Sequence, residues 1–251
     1  MSSSRTNAGT NARTNRVDRT RPLPPPRRRA PRGTLNTEVI VSAAIAVIDG
    51  DGLGKLTTRR LAQELGVRPM SLYTHFRDKY AILQAVADEL FGRFEMPDGT
   101  DCHVEMLRRL MRSYFRLLAD FPVLLQLHEL IDPVNPAEAR ISEAIHGRLR
   151  RLGFDQRATV GHKATLLRYV TGCGFVYQTR RRWDEDPGHW ERYRRRLAGL
   201  PLETFPAIHE LTYDFPAFTQ VEAFEFGLET LLTAIAATAP GDTGAGAARQ
   251  T

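Results

Sequence analysis

Between Thr37 and Phe94 apolar and polar positions recur with the period of an α-helix in four short runs separated by turn chemistry. The first sets Val39, Ala43 and Val47 beside Ile40 and Ala44. With Asn36 or Thr37 as cap it predicts a helix from about Thr37 to Ile48, closed by Asp49-Gly50-Asp51-Gly52. Thr57 can cap a second run carrying Leu61, Ala62 and Leu65, which Gly66 ends by taking left-handed backbone at little steric cost. The third opens at Pro69, where a missing N–H costs nothing. It puts Leu72 and Phe76 on one face and Met70, Ser71, Tyr73, Thr74 and His75 on the other. Asp78 can cap the fourth, whose Ile82, Leu83, Val86, Ala87, Leu90, Phe91 and Phe94 make a stripe broader than a small helical head needs. Its far end is therefore expected to pack against the next domain.

Met96-Pro97-Asp98-Gly99 breaks the chain, and the pattern beyond it stays helical. Val104 to Ala119 carries Leu107, Leu110, Met111, Tyr114 and Leu118 at helical spacing. Pro122 starts a short apolar helix. Asn135-Pro136-Ala137-Glu138 is a capped start of a helix that ends at Gly153. Asp155 can cap a long run to about Arg182, and Leu197 to Phe218, punctuated by proline, has room for one short helix. Thr219-Gln220-Val221-Glu222 is a capping box ahead of Phe224, Leu228, Leu231, Leu232 and Ile235, a stripe that runs to Pro240. No strand-like alternation or repeat stands out. The expected fold is all-α, a three-helix helix-turn-helix head followed by a larger helical domain.

Charge changes this picture at both ends of the head. Residues 1–33 hold nine arginines against Asp18 alone, a net of +8 in a chain whose formal charge is +6, which leaves −2 for the remainder. With two proline clusters and almost no apolar residues, this arm cannot bury enough surface to offset ordering entropy and is expected to be disordered, as is the tail 240–251. Lys55 to Lys79 carries six basic groups against Glu64 and Asp78, a net of +4. A basic arm beside a basic helical hairpin calls for an anionic partner such as nucleic acid. On periodicity alone, a helix-turn-helix and an ordinary hairpin with a solvated basic face remain equally open.

Residues 35 to 94 resemble the DNA-binding domain of the tetracycline-repressor (TetR) family: LTTRRLAQELGV, then SLYTHFRDK, then the apolar AILQAVADELF. The resemblance continues more weakly through the C-terminal half, in the style of the tetracycline-repressor C-terminal domain. It implies an arm (1–33), a DNA-binding head (34–95), a ligand-binding and dimerisation domain (96–239) and a tail (240–251). It further implies a ligand-responsive repressor that binds a palindromic operator as a homodimer and is released by a small molecule, apolar or aromatic.

Carried over position by position, the resemblance implies DNA contacts from Thr58, Arg59, Pro69, Met70, Ser71, Tyr73, Thr74, His75 and Lys79. Thr58, Ser71, Tyr73, His75 and Lys79 suit phosphates, Arg59 suits the O6 and N7 acceptors of guanine, and Met70 and Thr74 offer apolar surface to a thymine methyl. From the arm, Arg27, Arg28 and Arg29 can follow phosphates or the minor groove. The implied dimer is a four-helix bundle built from Gln156 to Arg182 and Thr219 to Ala239 of each subunit. Gly227, Leu228, Leu231 and Ile235 suit close antiparallel packing at its seam; the alternative is that the same stripe is simply intrachain core. The implied pocket draws on Leu107, Met111, Tyr114, His128, Arg168, Tyr169, Phe175, Tyr177 and Trp183. His128 falls where tetracycline-binding members place a magnesium-ligating histidine, but Phe94-Glu95 stands where they keep a polar contact, and an ordinary core or solvated histidine fits these residues better.

Other classes fare worse. There is no dinucleotide fingerprint, phosphate loop, zinc-protease or nucleophile-elbow motif, and Gly172-Cys173-Gly174 reads as close helix packing, so no enzyme and no cofactor are expected. Cys102 and Cys173 form neither a disulfide framework nor a metal-ligand set, and no run approaches the roughly 20 apolar residues of a membrane span. A bacterial cytoplasmic protein, held at the nucleoid when bound, fits. The competing function is a DNA-coating protein driven by the arm, with no inducer.

Overall fold

In the computed structural model, residues 35–99, 102–127, 130, 136–186, 188–211 and 219–240 are described. The arm with Arg27, Arg28 and Arg29, the expected cap Asn135, His128 and the tail beyond Pro240 lie outside them. Every regular element among the described residues is helical.

Helix α1 (Thr37–Asp51) begins because Asn36 Oδ1 accepts the Val39 amide at 2.8 Å. It runs one turn past the expected Ile48. The Asp-Gly-Asp segment stays helical until Gly52, at φ 86°, donates to the Ile48 carbonyl and turns the chain. Helix α2 (Thr58–Leu65) is capped by Thr57 Oγ1, 3.0 Å from the Arg60 amide, and stopped by Gly66 at φ 69° and ψ 28°. Residues Pro69–Thr74 form a 3₁₀ helix rather than the expected α-helix. Six residues with Leu72 as the single buried anchor are too few to repay α-helix nucleation, and the tighter i→i+3 turn suits so short a piece. Helix α3 (Lys79–Gly92), capped by Asp78 on the Ala81 amide at 2.8 Å, buries Ile82, Leu83, Val86, Ala87, Leu90 and Phe91.

The body comprises α4 (His103–Asp120), α5 (Val123–Leu127), α6 (Pro136–Arg151), α7 (Gln156–Glu185), α8 (His189–Ala198), α9 (Pro206–Leu211) and α10 (Gln220–Thr238). Helices α4, α6, α7 and α10 pack around one core, and α3 packs on α5 and α6, so the same helix closes the head and abuts the body. Between α4, α7 and α10, Phe115 stacks on Phe224 at 4.2 Å and takes Tyr177 edge-on at 5.5 Å. Gly174 lets α7 approach α4 closely, since a Cβ there would lie 3.1 Å from Leu118, whereas Gly172 faces open space. Of the two glycines in the Gly-Cys-Gly tripeptide, Gly174 alone serves close helix packing.

Helix α8 is an addition to the expected elements. Trp190, Tyr193 and Leu197 of HWERYRRRLA recur at helical spacing and lie half-buried on one side, but four arginines interrupt this short stripe and no residue is fully buried. Rings hold it instead: Trp183 of α7 stacks on His189 at 4.7 Å, and Trp190 meets Tyr193 edge-on at 5.9 Å.

Candidate nucleic-acid interface

Helices α1 and α3 form the base on which the α2 hairpin sits. Leu56, Leu61, Ala62, Leu72 and Phe76 are buried in that base, and each fully buried leucine contributes about 2 to 3 kcal/mol of transfer free energy. With these anchors inward, the 3₁₀ element offers its other side to solvent. Met70 is 73 % exposed and Tyr73 45 % exposed. Three residues per turn bring them into one row, with Ser71 and Thr74 in the next. The Thr74 hydroxyl donates to the Ser71 carbonyl at 2.8 Å, leaving its methyl as the free part of the side chain. Pro69, His75 and Lys79 are exposed, and Ser71 is half-buried.

At the start of α2, adjacent arginines have different fates. Arg60 is held at 2.8 Å by both Asp51 Oδ2 and Glu64 Oε2. Arg59 is exposed and has no ion pair among the described residues, while Thr58 is half-buried beside it. An open groove of about 510 Å³ at this end of α2 is lined by Asp51, Gly54, Lys55, Thr57 and Arg60. The basic surface of the hairpin is thus narrower than its composition, because Arg60 is spent on fixing α2 to the end of α1.

The residues expected around an effector divide. Leu107, Met111 and Tyr114 share the buried face of α4. Burial and the nearby Glu138 carboxylate push the Tyr114 phenol well above its ordinary range, and its ring centroid lies 6.4 Å from Phe91 and 6.3 Å from Phe94. Phe94 has left the helix but not the interface. Tyr169 turns to α10, donating to the carbonyls of Ala223 at 3.1 Å and Phe224 at 2.9 Å. Tyr177 is half-buried against Phe115, and Trp183 belongs to the ring cluster with α8, under Arg180 at 4.8 Å. Arg168 and Phe175 depart from expectation. Seven residues apart on α7, they fall on the side opposite the buried Leu166 and Val170, and Phe175 is 60 % exposed.

The α10 stripe also departs from expectation. Leu228 and Ile235 are 0 % and 3 % exposed within the single chain, Leu231 is half-buried, and Gly227 lies under the Tyr169 ring. The outward apolar positions are Phe226 on α10, 67 % exposed, and Phe175 and Val160 on α7. Of the two roles open to the stripe, the burial of Leu228 and Ile235 within one chain favours intrachain core. A second groove, about 620 Å³ and open to solvent, is lined by Arg112, Glu225, Phe226, Glu229, Thr230 and Thr233. None of the expected pocket residues lines either groove. Among the described residues no His/Cys/Asp/Glu group could hold a metal ion, and no helix is long and apolar enough to cross a membrane.

The geometry has counterparts. Residues 40–86 match the family described as bacterial regulatory proteins, tetR family, and residues 97–239 match the tetracyclin repressor-like C-terminal domain. An HTH-type transcriptional regulator of Saccharopolyspora erythraea is 28 % identical over 212 residues, 82 % of this chain and 86 % of the relative. The HTH-type transcriptional repressor DrrR1 of Streptomyces coeruleorubidus is 28 % identical over 214 residues, 81 % of this chain and 78 % of that protein. The crystal structure of the TetR family protein ActR of Streptomyces coelicolor in complex with actinorhodin superposes with a TM-score of 0.73 at 25 % identity, covering 83 % of this chain and 98 % of that one. The matched C-terminal domain alone spans more than half of the sequence, and the chain belongs to the tetR family of bacterial regulatory proteins.

Proposed function

We propose that this regulator is a repressor that binds a palindromic operator as a homodimer and leaves it when a small molecule occupies the helical body. The observation that carries the reading is the exposed row of Met70 and Tyr73 on the 3₁₀ element, flanked by an unpaired Arg59. A short helix anchored from behind by Leu72 and Phe76, with apolar and aromatic surface outward and cations at its margin, is built to enter a major groove. In this reading Thr58, Ser71, Tyr73, His75 and Lys79 take phosphates, Arg59 a guanine edge, and Met70 and the Thr74 methyl a thymine methyl. Arg27, Arg28 and Arg29 of the arm add phosphate contacts and with them salt dependence.

One head reads few base pairs, so two must act together on half-sites about 34 to 36 Å apart. The exposed Phe175, Val160 and Phe226 on α7 and α10 favour those two helices as the seam between subunits. An effector acts by binding more tightly to the arrangement in which the heads no longer fit both half-sites. Tyr114 in α4, close to the rings of Phe91 and Phe94 at the end of α3, is one of the contacts through which the body reaches the head, beside the packing of α3 on α5 and α6. A relative solved in complex with actinorhodin supports a small-molecule effector in this body.

Selection from a randomised duplex library, followed by competition with random DNA at moderate salt, tests the reading. A repressor retains a specificity ratio of about 10³ or more. A ratio near one, with the arm carrying the affinity, gives the coating function instead. The effector half of the reading fails if no compound from a panel of aromatic metabolites changes operator affinity while the protein still represses.

A further inference from the structure

The head's seven basic side chains are unequal once their partners are known. Arg60 is held by Asp51 and Glu64, Arg77 lies 3.3 Å from Asp78, and Arg93 lies 3.2 Å from Glu89 and over the Phe121 ring at 5.1 Å. Lys55, Arg59, Arg68 and Lys79 are exposed and have no ion pair or side-chain hydrogen bond among the described residues. Two of these four are point charges and two are planar forks, and only a fork matches the paired O6 and N7 acceptors of guanine.

We propose that Arg68 is a second specificity-determining residue, reading a guanine edge at a base pair distinct from that of Arg59; this rests on the DNA-binding reading above. Arg68 is the N-cap of the 3₁₀ element, in extended backbone at φ −75° and ψ 142°, the conformation that a following proline requires. Its carbonyl accepts the Ser71 amide at 2.9 Å, so its backbone belongs to the first turn of the recognition element and not to a loose linker. Arg68, Pro69 and Met70 form an unbroken exposed stretch at the N-terminal end of that element, the end that meets base edges when a recognition helix enters the major groove. An arginine there with no intramolecular partner breaks no ion pair to bind, whereas Arg60 would lose two. Lys55 and Lys79, outside this stretch, suit phosphates on either flank.

The test compares wild-type protein with R68A, R68K and R59A in selections from a randomised duplex library, each variant checked by circular dichroism for native helix content. The wild type is expected to select a guanine that R68A and R68K no longer select, while the base lost in R59A persists in both. Affinity of R68A for the guanine-bearing duplex falls about 5- to 150-fold relative to wild type, and R68K keeps wild-type affinity for random duplex because its charge remains. Retention of the guanine by R68K, or even weakening of all duplexes in R68A, identifies a phosphate contact and overturns the proposal, as does unchanged selection in R68A. If the wild type selects no sequence, the DNA-binding reading falls first and takes this one with it; if it selects one that R68A leaves unaltered, only this proposal falls.

Discussion

The phenolic oxygen of Tyr169 is shared between the carbonyls of Ala223 and Phe224 and occupies the space above Gly227 where any side chain would begin. A Cβ at Gly227 would lie 2.6 Å from the Tyr169 Cζ and closer still to its hydroxyl. The ring cannot withdraw without giving up its bonds to α10, so the glycine sets how closely α7 and α10 approach.

Gly227→Ala is therefore expected to destabilise the fold by about 1 to 3 kcal/mol through overpacking, despite the better helix propensity of alanine. Urea denaturation measures it. Tyr169→Phe in the same chain should recover part of the loss by removing the hydroxyl; additive losses would show that the two residues do not oppose one another.

Arg59→Ala should lower operator affinity by about 1 to 3 kcal/mol at one base position and leave the remaining positions ranked as before. Arg60→Ala should leave site selection intact and lower the melting temperature slightly, since its guanidinium is committed to Asp51 and Glu64. Binding to single-base operator variants separates the two. Equal effects from these neighbours would remove the distinction between them.

Phe175→Asp and Phe226→Asp should shift the protein from dimer to monomer in sedimentation velocity while the melting temperature of the monomer stays close to that of the parent chain. Leu228→Ala, 0 % exposed within one chain, should instead cost about 2 to 5 kcal/mol of folding stability. A dimer that survives both Phe changes places the seam elsewhere.

Acid sensitivity should come partly from the bond between α4 and α10. The Arg108 guanidinium, bonded to Glu229 at 2.6 and 2.8 Å, holds that carboxyl below its ordinary value of 4.5. Glu105 is lowered likewise, by Arg109 first and Arg108 second. The unfolded chain then binds protons before the folded one. The stabilisation is complete above pH 4.5 and is lost as pH falls through the depressed folded values. Glu229→Gln should start from a lower melting temperature at neutral pH and lose less of it on acidification. Parallel curves for the two proteins would count against this.

Several features of the fold were legible because their causes are local. Asn36, Thr57, Asp78, Asp155 and Thr219 each cap the helix that their spacing predicted, because a cap needs only a side-chain oxygen three residues before an unpaired amide. Gly66 ended α2 for an equally local reason, its positive φ. Leu72 and Phe76 were separable from Met70 and Tyr73 because one turn of helix distinguishes inside from outside. Helix α8 was missed because its short stripe of Trp190, Tyr193 and Leu197 is interleaved with four arginines and buries no residue fully.

By itself the sequence determined the all-helical class, the caps and stops, and the outward composition of the recognition element, since all of these depend on residues within four or five positions of one another. Which of two adjacent arginines remains available depends in part on Asp51, nine residues before Arg60 and on another helix, and which side of α10 turns inward depends on groups more than fifty residues away. Asp51 must come within 2.8 Å of Arg60, and Phe115 and Tyr169 must meet Phe224, before either choice exists. Only the tertiary structure decided these, because ion pairing and burial are properties of neighbours in space.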